Sequence, residues 1–90
     1  MSETDNLVQL HIEALRVLAR TNQSNRGLLI ERNINDYLAE AGSERSSLER
    51  LRDAIDHEEA EKRQGEDWSI ARDYVGSWLR SSSGGDDGAT

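Results

Sequence analysis

No cysteine, proline or phenylalanine occurs anywhere in the chain of 90 residues. Without cysteine, disulfides and thiolate metal sites are excluded, and nothing ties the chain to an oxidising compartment. Its two histidines, His11 and His57, stand far apart with no ligand-like companion at metal spacing, so no metal or other cofactor is expected. No apolar run approaches the roughly 18 residues of a membrane span. The opening M-S-E-T-D-N is acidic, whereas a secretory signal begins basic and turns apolar. A cytoplasmic protein with no membrane contact is expected. There is no glycine-rich phosphate loop, no H-E-x-x-H and no Ser/His/Asp set at a recognisable spacing. His57 beside Glu58 and Glu59 is the nearest approach to an acid–base cluster, and an exposed helix offers it no pocket to shift its pKa. The chain reads as a non-enzyme with no small-molecule substrate.

What is present is charge and short apolar stripes. A chain of this length is one domain at most, and with 34% hydrophobic residues a lone copy has a thin core. With disulfides and metal excluded, oligomerisation is the remaining route to stability, so at least a homodimer is expected. The net charge of −7 is unevenly spread: residues 1–50 hold six basic and eight acidic side chains, residues 51–90 five and ten. Overall acidity opposes non-specific nucleic-acid binding, which phosphate neutralisation drives. It leaves room for a local basic patch.

Glycines and polar clusters mark the breaks. Residues 1–6 read as a disordered start, although Ser2 to Asp5 also fits a helix-opening capping box. Residues 7–12, L-V-Q-L-H-I, carry two patterns. Val8, Leu10 and Ile12 alternate with Gln9 and His11, which suits a half-buried strand, the reading favoured here for residues 7–11. Leu7, Leu10, Ala14 and Leu18 also fit a helical stripe. Residues 13–20 are helical in pattern, with Leu15 and Leu18 inward, and residues 21–25 form a turn ending in Asn25, a good N-cap. A second helix to about Ala41 has Leu29, Ile30, Ile34, Tyr37 and Leu38 on its apolar face, closed by Gly42. Ser46-x-x-Glu49 looks like a capping box for a third helix running to about Arg63 and ended by Gly65, with the narrow stripe Leu48, Leu51, Ile55. A last amphipathic segment over 69–80 places Ile70, Tyr74 and Trp78 on one line, Ala71, Val75 and Leu79 beside it, and Trp68 just ahead. Residues 81–90 read as a low-complexity disordered tail.

The order strand, helix, polar turn, helix resembles the ribbon-helix-helix DNA-binding proteins. Asn25, Arg26, Gly27, Leu28, Leu29, Ile30, then Ile34, Tyr37 and Leu38 follow that family's second helix, with glycine at Gly27 where serine is frequent and no basic residue on the strand's outward face. The carboxyl half resembles the toxin-wrapping tails of CopG/ParD-like antitoxins through Ala54, Ile55, Glu59, Ala60, Gly65, Ser69, Val75, Trp78 and Leu79, with about two extra residues between Ser69 and Val75. The resemblance implies a mainly α protein in two parts: a dimeric ribbon-helix-helix region over residues 7–43 and a helical toxin-binding extension over residues 44–80. It implies an antitoxin of a type II system that neutralises a RelE/ParE-type toxin and represses its own operon.

On that reading Val8, Leu10, Ile12, Ile30, Ile34 and Tyr37 hold the dimer together. Gln9 and His11 face the major groove, which is wide enough for a two-stranded ribbon. Asn25, Arg26 and Gly27 offer free amides, a positive charge and close approach to a DNA phosphate. Ile55, Glu59, Trp68, Ile70, Tyr74, Val75, Trp78 and Leu79 meet the toxin, because aromatic anchors in a charged segment suit a partner's groove. Each of these residues also has a plainer role, as core, cap or solvated surface. The rival reading assembles those plainer roles: a compact acidic four-helix interaction protein, such as a phage or plasmid inhibitor or adaptor. In it residues 5–20 form one helix, the aromatic segment packs inside, and no DNA is bound.

Overall fold

The computed structural model describes residues 3–61 and 65–88, with side chains described through Ser81. Helix α1 spans Glu3–Ala19, α2 Arg26–Ala41, α3 Arg45–Ala60 and α4 Ser69–Gly88, and no strand occurs among the described residues. The expected ribbon-helix-helix fold is therefore overturned, since it requires a strand at residues 7–12, and those residues lie inside α1. The physical reason lies in the residues themselves. Val8 and Ile12 belong to both the alternating and the helical pattern, but no turn residue separates Ile12 from the helical run that follows. One continuous helix buries Val8, His11, Ile12, Leu15 and Ala19, spaced 3, 4, 7 and 11 residues from the first. Leu10, which a strand would have turned inward with Val8 and Ile12, is 64% exposed. Glu3 and Asp5 in the first turn and Arg16 in the last suit the helix dipole.

Contacts along the chain set the arrangement. His11 meets Asn33 and Tyr37, and Glu3, Thr4 and Leu7 line a depression with Glu40 and Ala41, so the start of α1 lies at the end of α2 and the two run antiparallel. Asp5 pairs with Arg50 and Arg16 with Glu58, so α1 and α3 lie side by side in the same direction. Gly27 sits beside Ile70, and Asn35 accepts from the Tyr74 hydroxyl, which aligns α2 with α4. Helices α3 and α4 also pack closely, so the ring order is α1, α2, α4, α3, with the α2–α3 connection crossing a diagonal.

The core draws on all four helices. Ile30, Ile34, Tyr37 and Leu38 come from α2, Leu48, Leu51 and Ile55 from α3, and Ala71, Val75 and Leu79 from α4. Trp68 closes it from the α3–α4 loop. Burying each aliphatic side chain stabilises by about 1.5–3 kcal/mol, so the three-residue stripe of α3 suffices once every member is fully covered.

The expected ends fare unevenly. Gly42 closes α2 as the sequence suggests, with its amide donating to the Leu38 carbonyl at 2.8 Å, but at φ 91° and ψ 152° it takes an extended positive-φ conformation and not the left-handed helical one. Asn25 stands at the N-cap position of α2 but makes no side-chain cap bond. Ser46 is no cap, because α3 begins at Arg45 with Glu44 before it. Ser2 and residues 62–64, where the sequence pattern ends the third helix, lie outside the described residues. Helix α4 runs through Gly88, beyond Arg80, where the amphipathic pattern stops.

Candidate functional site

The residues expected to read DNA do not converge. Gln9 is exposed and lines a shallow depression between α1 and α3 with Asp5, Val8, Arg50, Asp53 and Ala54. His11 points to the other side, because residues two apart on a helix diverge by about 200°. Its Nδ1 lies 3.0 Å from Asn33 Oδ1, and its ring meets Tyr37 edge-on at 5.7 Å. The shared outward face that a ribbon would give Gln9 and His11 is thus absent.

The start of α2 is occupied by the chain itself. Arg26 donates from Nη1 to the Thr21 carbonyl at 3.1 Å and from Nη2 to Asp67 Oδ2 at 3.3 Å. A Cβ on Gly27 would lie 3.9 Å from the Ile70 side chain, so this glycine faces α4. Asn25 is exposed beside them.

A hub at this end of the bundle escaped the sequence reading. The Asp67 amide donates to the Ala19 carbonyl at 2.8 Å, and Asp67 Oδ1 accepts from the amide and the hydroxyl of Ser69, where α4 begins. One residue therefore holds the end of α1, the start of α2 and the start of α4. The signal was present as D-W-S ahead of an apolar stripe, an acidic residue able to satisfy an opening amide. Next to it, the Trp68 indole N–H donates to Glu66 Oε1 at 3.1 Å, and both residues are buried. Arg16 donates from Nε to Glu58 Oε1 at 2.8 Å, and this bond, with the field of Glu58 and Glu66, raises the guanidinium pKa against the cost of burial.

The expected partner-binding residues divide into two groups. Ile55, Trp68, Val75 and Leu79 are buried in the chain's own core. Ile70, Tyr74 and Trp78 lie partly buried along its edge, and Tyr74 donates to Asn35 Oδ1 at 2.6 Å. Glu59 accepts from Arg72 at 2.7 Å, a bond that raises the Arg72 pKa. Of the residues expected at a dimer contact, Val8, Ile12, Ile30, Ile34 and Tyr37 are buried within one chain, and Leu10 alone is exposed.

The surface charge is dominated by carboxylates. Arg16, Arg26, Arg45, Arg50, Arg52 and Arg72 each lie within ion-pair distance of an acidic side chain of the same chain. Asp36 and Glu40, one turn apart on α2, and Glu44 just beyond are exposed. Among the described residues no group of acidic or histidine side chains is placed to hold a metal, and no helix is long and apolar enough to cross a membrane. Compared with family models, curated proteins and solved structures, the chain matches none of them.

Proposed function

We propose that this chain is a small acidic helical binding protein, an adaptor or inhibitor, that docks on a basic protein surface and does not read DNA. The observation that carries the reading is how the charges are spent. Six arginines are paired internally, and the net charge of −7 is presented by carboxylates such as Asp36, Glu40 and Glu44. Binding to a phosphate backbone needs cations that release counterions: Arg26, at the start of α2, already holds Thr21 and Asp67, and the exposed Arg20, Arg32 and Arg80, which make no ion pair with another described residue, are divided between the end of α1, α2 and α4 amid an excess of carboxylates. A carboxylate-rich surface instead attracts a basic partner and speeds encounter with it.

An antitoxin whose tail wraps a toxin would have to take Ile55, Trp68, Val75 and Leu79 out of the core they complete. Self-repression would need a DNA reader other than a ribbon. Neither requirement has a supporting observation, so the binding-protein reading stands ahead.

Two titrations test it. Fluorescence anisotropy with a labelled duplex at physiological salt is expected to give no binding. NMR titration with an oligolysine peptide is expected to shift amides around Asp36, Glu40 and Glu44, with binding lost on raising salt and in the Asp36→Lys/Glu40→Lys/Glu44→Lys variant. Duplex binding, or peptide binding indifferent to that triple variant, contradicts the proposal.

A further inference from the structure

Helix α1 has a second stripe that the bundle does not use. Leu7, Leu10, Ala14 and Val17 recur at alternating steps of three and four residues, the spacing of a coiled-coil seam. Leu10 is 64% and Val17 54% exposed, while Leu7 and Ala14 are half-buried. Glu3, Asn6, Leu7 and Leu10 together line an almost wholly apolar hollow. Four residues at i, i+3, i+4 and i+7 are the hole that receives one knob of a facing helix. Hollows with the same spacing occur on α2, at Leu28, Glu31, Arg32 and Asn35, and on α4, at Tyr74, Ser77, Trp78 and Ser81. The hollow on α2 continues into no second apolar layer, and the one on α4 continues only into Ile70, which packs beside Gly27 of α2, whereas the hollow on α1 continues through Ala14 and the exposed Val17.

We infer that this stripe is a self-association surface, on which α1 of a second copy lies antiparallel. The register that sets Leu10 over Ala14 of the second copy also sets Leu7 against Val17. Large then meets small in the two central layers, and Val17 of each copy enters the hollow at Glu3, Asn6, Leu7 and Leu10 of the other. The same register brings Glu3 of one copy beside Arg20 of the other at both ends. Glu3 and Arg20 are exposed, and neither makes an ion pair with another described residue. Antiparallel helices also set the positive end of one dipole against the negative end of the other. Near the two-fold axis Glu13 faces Glu13 of the second copy, a repulsion that limits affinity and fixes a distinctive expectation. This contact is separate from the ribbon dimer that the sequence suggested, and it does not depend on the acidic docking role proposed above.

Sedimentation equilibrium of the full chain, from micromolar to millimolar, tests the inference, with circular dichroism melts confirming that each variant folds. A reversible dimer is expected. Leu10→Glu and Val17→Glu, both at exposed positions, are expected to raise its Kd by at least about tenfold, the equivalent of about 1.4 kcal/mol. Leu28→Glu, on the outer face of α2, is expected to leave it unchanged. Glu13→Gln is expected to tighten the dimer. Arg20→Glu weakens it, and Glu3→Arg combined with Arg20→Glu restores it. A monomer throughout the range, a dimer indifferent to Leu10→Glu, equal disruption by Leu28→Glu, or no rescue in the double variant overturns the inference.

Discussion

Tyr37 shows how much a single side chain carries in a chain with few aromatics. It is fully buried, donates its hydroxyl to the Ser47 carbonyl at 2.8 Å and forms the edge-on contact with His11, so it links α1, α2 and α3. Tyr37→Phe keeps the ring and removes one buried hydrogen bond, so it should destabilise by about 1 kcal/mol in urea unfolding. Burial raises the phenol pKa above its ordinary 10.0. The folded state therefore holds this proton at a pH where the unfolded chain has released it. The stabilisation is complete below pH 10.0 and is lost as pH rises through the folded-state value. Denaturant midpoints measured across that range should fall more steeply for the wild type than for Tyr37→Phe.

The two tryptophans make a second contrast at this scale. Trp68 is fully buried against Glu66, and Trp78 lies partly buried at the core's edge. Trp68→Ala should cost about 3–5 kcal/mol, and Trp78→Ala clearly less. Comparable small losses in urea unfolding would show that Trp68 is not a core residue. Composition made both residues look like anchors for a partner, because a large aromatic beside charges reads the same whether its groove is on another protein or its own. Only the carboxylate at Glu66, placed to accept the indole proton, distinguishes them, and it stands two residues away among several other acids.

At the scale of the element, α2, α3 and the second half of α1 were legible, and the first half of α1 was not. Ile30, Ile34, Tyr37 and Leu38, and Leu48, Leu51 and Ile55, lie at spacings only a helix uses, and all are buried. Residues 7–12 are too short to separate a period of two from one of 3.6, since Val8 and Ile12 serve both. The deciding feature was the unbroken run into residues 13–19, together with a second helix against which His11 finds Asn33. Caps were legible where geometry demands glycine. At Gly42, φ is 91° and an added Cβ would lie 3.2 Å from Glu44 Oε1, so Gly42→Ala should lower stability by about 1 kcal/mol or more. Asp67 was missed because, beside its local bonds to Ser69, its bonds to Ala19 and Arg26 reach segments far away in sequence. Asp67→Ala should cost about 1–2 kcal/mol in urea unfolding and speed amide exchange at the start of α4.

At the scale of the whole molecule, the bundle closes on itself where a partner-dependent tail was expected. In sequence the α3–α4 half looks unable to bury itself, because residues 56–64 are nearly devoid of apolar side chains. The structure instead gathers Ile55, Trp68, Ala71, Val75 and Leu79 from either side of that stretch into one core with α1 and α2. Arginine–carboxylate pairs lie across the outside: Asp5–Arg50 between α1 and α3, and Glu59–Arg72 between α3 and α4. Such exposed pairs are screened by water and add little individually, so the core and not the ion pairs holds α4 in place. Native-state amide exchange on the free protein tests this directly. Residues 70–79 of α4 should be protected to nearly the level of α2, since both open only with the core. Rapid exchange across 70–79 beside a protected α2 would contradict it, and would return the carboxyl half to the role of a segment awaiting its partner.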